Sequence, residues 1–254
     1  MRLVFASNNA HKLAEVRQIM PANVEVLSLR DIGFEHDIEE TGATLEENSY
    51  IKASTVAAFI NDGLMNGDAA LNGESIDGVF ADDTGLEIDA LGGEPGVYTA
   101  RWYRLNDEMS AALNDGMSAA SPLNDEMMIF AANRKKALTE LADKEDRGAQ
   151  FRTVITLAFA SLGHVSKPCF DRESSGAPLS PKIKIFGDPE FIQVEGIVRG
   201  RMATEEYGQG GFGYDPIFIP EGYDKTFGEL PAELKNHISH RARALAELVK
   251  LLNR

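Results

Sequence analysis

A short apolar run, RLVFAS (2–7), opens the chain and gives way to NNAHKLAEVRQIM, where Leu13, Val16 and Ile19/Met20 recur at helical spacing. This predicts a buried strand followed by a helix, with Asn8 or Asn9 as its N-cap. Pro21 punctuates the path to VEVLSL (24–29), a second strand, and ATLEENSYIKASTVAAFI (43–60) predicts a second helix. GVFADD predicts a third strand, ending where a turn begins at Thr84, and GLEIDAL a fourth. Residues 129–143 read as helical, FRTVITLAFASL (151–162) and FIQVEGIVRGRM (191–202) as β-rich, and DPIFIP as a short strand. The closing PAELKNHISHRARALAELVKLLN predicts one helix, with Leu234, Ile238, Leu245, Leu248 and Leu252 roughly on one face. Strands and helices alternate early and strands cluster later. The expectation is an α/β chain with a mixed sheet.

Three stretches break this pattern and are expected to be surface insertions. Residues 61–78 are polar and glycine-rich, residues 163–182 have a loop's composition, and residues 105–128 carry an imperfect octapeptide repeat, LNDEMSAA, LNDGMSAA, LNDEM. The repeat is too short for a solenoid, whose units need about 20 residues or more. A loose helix is its other reading.

Composition narrows the partners. The 254 residues are 43% hydrophobic and 26% charged, which fits a single domain over 1–254, or two closely joined lobes, with a real core. No apolar stretch is long enough to cross a membrane, and the opening run meets polar residues too early for a signal peptide. A single cysteine, Cys169, precludes an internal disulfide and points to a reducing cytoplasm. The formal net charge of −15 argues against a nucleic-acid polymer as partner. It leaves room for a small anion held by local lysines and a metal.

Five pieces have residue types suited to such a ligand. SNNAHK (Ser7, Asn8, Asn9, Ala10, His11, Lys12) ends a strand and opens a helix, where backbone N–H groups and a lysine suit an anion; an ordinary capped helix is the plainer reading. There is no P-loop and no dinucleotide fingerprint. In EETGATLEENSYIKA, Lys52 shares a helix face with Asn48, and Glu40 sits in the preceding turn. There a hard oxygen ligand and a phosphate contact compete with a simple acidic first turn. Asp82 and Asp83 are adjacent carboxylates that would point into a ligand crevice at a strand's end, or else cap an exposed turn. GQGGFGYDPIF holds four glycines in six positions, with Phe212 and Tyr214 two apart. On an extended segment they share a face and could stack a base, and a hairpin with core aromatics is the alternative. In the last helix, Lys235, His240 and Arg241 would lie near one another, with arginine a donor that never accepts.

Each signal is modest, but their order is specific. S-x-N-x-x-K, an acidic loop with a downstream lysine, A-D-D-T-G-L, L-G-G-x-P-G-x-Y-x-A-R, G-G-F-G-Y-D-P and S-H-R follow one another. This resembles the inosine triphosphate pyrophosphatase (Ham-like) family of bacterial type, over roughly 1–60, 79–102, 150–162 and 185–252. The resemblance implies an elongated mixed sheet with flanking helices, two lobes with a central active-site cleft, and a homodimer. It implies hydrolysis of ITP, dITP or XTP to monophosphate and pyrophosphate with Mg²⁺. By position it makes Ser7 to Lys12 the triphosphate loop, and Glu40 and Asp83 the metal ligands. Asp83 is also the general base, with Asp82 assisting. Lys52 and Thr84 become phosphate contacts, Phe212, Gly213, Tyr214 and Asp215 the base-stacking segment, and Lys235, His240 and Arg241 the base readers, with Arg101 reaching the nucleotide. A related pyrophosphatase of the Maf family, a nucleotide-binding regulator without hydrolysis, and a structural module built on the repeat are the alternatives.

Overall fold

The computed structural model describes residues 1–65, 76–105, 122–159, 184–186 and 191–253. The strands are β1 (Arg2–Phe5), β2 (Glu25–Leu27), β3 (Gly78–Ile88), β4 (Pro95–Gly96), β5 (Gly148–Phe159), β6 (Lys184–Phe186), β7 (Phe191–Met202) and β8 (Phe218–Pro220). The α-helices are α1 (Ala10–Ile19), α2 (Leu45–Met65), α3 (Pro122–Glu140), α4 (Ala232–Ile238) and α5 (His240–Leu252). The strands form one mixed sheet in the order β2-β1-β3-β5-β7-β6, with β4 on β3 and β8 on β7. β1 pairs parallel with β2 and β3, whereas β4, β6 and β8 pair antiparallel. This is the α/β class the pattern predicts.

The chain divides into two compact units: 1–83, 153–196 and 241–254 make the first, and 84–152 and 197–240 the second. In the first, strand alternation sorts side chains onto two faces. Val4, Val79 and Ala81 pack with Ala53, Val56 and Ile60 of α2. Leu3, Phe5 and Phe80 pack with Val16 of α1 and Leu245 and Leu248 of α5. The second unit has its own core, in which Leu86, Ile88, Trp102, Leu141, Phe151, Phe218 and Phe227 meet.

Four elements differ from the sequence expectation. The third and fourth strands are one strand, β3, running through Thr84 and Gly85 without a turn. Helix α2 continues to Met65, so the first residues of the 61–78 stretch are helical. Helix α3 starts at Pro122, so the last repeat unit, Leu123–Met127, is helical. The remainder of the 61–78 stretch up to residue 75, the first two repeat units from residue 106 and all of 163–182 lie outside the described residues. The closing helix is two helices, because Ser239 between them is extended (φ −65°, ψ 158°) and its N–H closes α4 on the Lys235 carbonyl.

Candidate active site

β3 buries both aspartates, and its alternation sends them to opposite faces of the strand. Asp82 follows Phe80 toward α1 and α5. There Lys12 Nζ donates to its Oδ1 at 2.9 Å and Arg241 Nε to its Oδ2 at 3.0 Å. Asp83 follows Val79 and Ala81 toward α2, and Lys52 Nζ donates to its Oδ1 at 2.8 Å and to Glu40 Oε1 at 3.3 Å. Adjacent carboxylates are therefore tolerated because a pleated strand separates them and each face brings its own cation. The expectation of a strand-end turn is corrected: the pair lies mid-strand, with Asp82 1% and Asp83 6% exposed.

Local structure explains how these groups are held. Asn9 caps α1 by accepting from the Lys12 N–H at 2.9 Å, and Ser7 Oγ accepts from the Asn9 N–H at 3.2 Å. This fixes the first turn from which Lys12 reaches Asp82; Asn8 reaches Asp37 at 3.5 Å, and Ala10 and His11 are exposed. Thr44 and Glu47 exchange hydrogen bonds as a capping box at the start of α2. Ser49 Oγ donates to the Ala81 carbonyl at 2.9 Å and docks the helix on β3. Glu15 also holds Arg241, by a short contact to the guanidinium. No sequence motif singled out Glu15, although its place one turn after Lys12 on α1 is a helical-spacing signal.

The charges follow from these contacts. Burial pushes the Asp82 carboxyl upward, but Lys12, Arg241 and Lys52 outweigh it and hold it well below the usual carboxylate range. Burial is the larger influence on Asp83, and even with Lys52 beside it the carboxyl is raised. Burial would lower the Lys52 ammonium, but Asp83, Glu40 and Asp82 raise it, so it is held protonated. Asp83 Oδ2 is buried with no hydrogen-bond partner. A raised carboxylate with one unpaired oxygen, next to a fixed ammonium, can accept a proton or bind a cation.

The second unit holds a different arrangement. Asp215 Oδ2 accepts from Lys235 Nζ at 2.6 Å and from the Phe212 N–H at 2.7 Å. The Lys235 ammonium also stands 4.8 Å from the centroid of the Phe212 ring, a cation–π contact. Gly211 and Gly213 take φ of +73° and +61°, so the segment is a tight turn, not an extended one. The expectation that Phe212 and Tyr214 share a face is thereby corrected. Tyr214 belongs to the core and its hydroxyl donates to the Thr99 carbonyl at 3.0 Å. Arg134 Nη1 donates to the Gly213 carbonyl at 2.9 Å.

His240 is buried with its ring stacked 4.8 Å from that of Phe151. Lys235, His240 and Arg241 do not lie on one continuous helix. The break at Ser239 leaves Lys235 on Asp215, while Arg241 meets Asp82 and Glu15. Thr84 is half-buried and follows Asp83 on β3, and the Arg101 guanidinium lies 5.4 Å from the Tyr98 ring centroid.

Comparison with known proteins places this geometry in context. The sequence model of the Ham1 family matches residues 3–251. The dITP/XTP pyrophosphatase of Flavobacterium johnsoniae is 38% identical over 252 residues, covering 99% of this chain and 98% of that protein. The dITP/XTP pyrophosphatase of Bacillus subtilis is 38% identical, covering 98% of this chain and 96% of that protein. Among solved structures, the Staphylococcus aureus Ham1 protein has a TM-score of 0.66 at 31% identity, covering 100% of this chain and 98% of that one. A HAM1 protein from Coxiella burnetii has a TM-score of 0.64 at 30% identity, with the same coverage.

Proposed function

Because the chain belongs to the Ham1 family, we propose that it hydrolyses deaminated purine nucleoside triphosphates, namely ITP, dITP and XTP, to the monophosphate and pyrophosphate. The relatives' activity as dITP/XTP pyrophosphatases supports the substrate class. The observation that carries the chemistry is the split acidic pair. Both oxygens of Asp82 are paired, one with Lys12 and the other with Arg241, whereas Asp83 keeps one oxygen unpaired.

In this reading Asp83 takes the proton of the attacking water as the new P–O bond forms and the anhydride bond breaks. Its raised carboxyl suits a general base. Lys12 and Lys52 stabilise the charge on the departing pyrophosphate, since phosphoryl chemistry is mostly positioning and electrostatics. Glu40 and Asp83 fit Mg²⁺: both present hard oxygens at Lys52, and Asp83 Oδ2 lacks a partner. Among the described residues no three acidic, histidine or cysteine side chains converge on a metal. Mg²⁺ commonly takes one or two protein carboxylates and completes its shell with water and substrate phosphate. When bound, it would neutralise triphosphate charge.

The purine end is assigned to Phe212, with Lys235 and His240 as donors. Inosine and xanthine carry an acceptor at O6, where adenine carries an amino group. A buried donor left unpaired by ATP costs about 1–3 kcal/mol. Arg241 is assigned to holding Asp82. We further propose that the enzyme is a cytoplasmic homodimer. Its single cysteine suits a reducing compartment, and the dimer rests on the family resemblance.

The test is pyrophosphate release from ITP, XTP, GTP and ATP at equal concentration, with Mg²⁺ and then with EDTA. The expected outcome is fast release from ITP and XTP that EDTA abolishes. Equal release from all four, or from none, sinks the substrate assignment.

A further inference from the structure

We propose that Asn48 is a positioning residue for the acidic site and acts through Glu40; this rests on the reading of Glu40 as a metal ligand. Asn48 is fully buried on α2, one turn before Lys52 and on the same face. Its Oδ1 accepts from the Gly42 N–H at 2.8 Å, two residues after Glu40. Glu47 Oε2 accepts from the next two N–H groups, Ala43 at 2.6 Å and Thr44 at 3.1 Å. The segment that carries Glu40 is thus tied to α2 by consecutive backbone donors, and Ser49 ties α2 in turn to β3 at Ala81, two residues before Asp83. The fit at the Asn48 end is close: a Cβ on Gly42 would stand 2.7 Å from Asn48 Oδ1 and 2.6 Å from Glu47 Cβ.

A second observation separates this from a purely structural asparagine. Asn48 Nδ2 is buried and has no hydrogen-bond partner. Interior amides normally use their donors, because a buried donor without an acceptor is costly. Asn48 therefore carries an unused donor on the helix face of Lys52, and an oxygen-rich ligand at that site would provide its acceptor.

The experiment uses Mn²⁺ alone as probe, with the free ion counted by electron paramagnetic resonance. The proteins are wild type, Glu40→Gln, Asn48→Ala, the double variant and Gly42→Ala. Asn48→Ala is expected to weaken Mn²⁺ binding by about tenfold. The double variant should be no weaker than Glu40→Gln alone, because the two residues act as one unit. Gly42→Ala, which crowds the same contact from the loop side, should give the same loss and covers the case where Asn48→Ala does not fold. Thermal unfolding confirms that each variant is folded at the assay temperature. Wild-type affinity in Asn48→Ala and Gly42→Ala overturns the proposal, as do losses that add in the double variant. If Glu40→Gln itself binds like wild type, the metal role of Glu40 falls and takes the Asn48 proposal with it. That signature differs from the loss of a metal effect confined to the Asn48 and Gly42 variants.

Discussion

Among the described residues, each compact unit holds a lysine–aspartate pair with both side chains deeply buried, Lys52–Asp83 and Lys235–Asp215, and the two pairs differ in what is left over. In the first unit Lys52 meets Asp83 at 2.8 Å, and the far oxygen of Asp83 has no partner. In the second, Lys235 meets Asp215 at 2.6 Å, and the same Asp215 oxygen also takes the Phe212 N–H. Burial is alike, since all four side chains are less than 10% exposed. The difference is in the use of hydrogen-bonding capacity. Asp215 spans the glycine turn and its lysine, so it works as a clamp that shapes the Phe212 segment. Asp83 is held at one oxygen only, and its other oxygen keeps its hydrogen-bonding capacity unused. Burial of an ion pair by itself is weak evidence for function or for stability. An oxygen held in place without a partner is better evidence.

The contrast predicts opposite signatures, and Asp83→Asn carries the largest effect. It keeps the shape and the contact with Lys52 but removes the base, so turnover of ITP should fall by about 10²- to 10⁴-fold. Binding of ITP, measured by equilibrium titration, should persist, and the melting temperature should fall less than in Asp215→Asn, because the Lys52 ammonium keeps Glu40 as a counter-charge at 3.3 Å. Turnover within a few-fold of wild type would remove Asp83 from the chemistry.

Asp215→Asn should do the reverse. Breaking a buried pair from one side costs roughly 3–5 kcal/mol, because Lys235 is left without its counter-charge. For a chain of this size that lowers the melting temperature by on the order of 10 °C. Below that temperature kcat should stay near wild type while KM rises as the Phe212 turn loosens. A variant that keeps its stability but loses kcat would erase the distinction between the two pairs.

Much of this site was legible in the chain because its signals are local. The apolar run 191–202 is β7 to the residue, and Asn9 caps α1 as its position before the helical pattern suggests. What stayed hidden is non-local or conformational. Thr84-Gly85 reads as a turn because two aspartates end the apolar run before it and aspartate and glycine are weak in strands, yet pairing within the sheet carries β3 through them. The break at Ser239 lies inside an unbroken apolar periodicity, with no proline or glycine to announce it. Glu15 and Asp82 both hold Arg241 from far away in sequence, so no spacing rule pairs either of them with it. Tyr214 looked like a second stacking ring because alternation was assumed, and two positive-φ glycines turn it into the core.

An exposed acid calibrates the comparison and carries the smallest effect. Asp31 Oδ2 accepts from the Ser28 N–H and hydroxyl, each at 2.8 Å, and from Arg17 Nη2 at 3.3 Å. Those bonds, the Ser28 N–H first, hold its carboxyl below the ordinary value. A folded pKa below the unfolded one gives stability that is fully present above about pH 4 and lost as acid protonates the folded carboxylate. Both partners of the Asp31–Arg17 pair are nearly half exposed, so solvent screening leaves less than about 1 kcal/mol. Urea unfolding of wild type and Asp31→Asn should therefore differ slightly at pH 7 and converge as the pH drops toward 3, with ITP turnover unchanged throughout. A loss at pH 7 as large as that of Asp215→Asn would mean that hydrogen-bonded pairing, and not burial, sets the cost of breaking these contacts. The ranking of the two buried pairs would then have to rest on Asp83's unpaired oxygen alone.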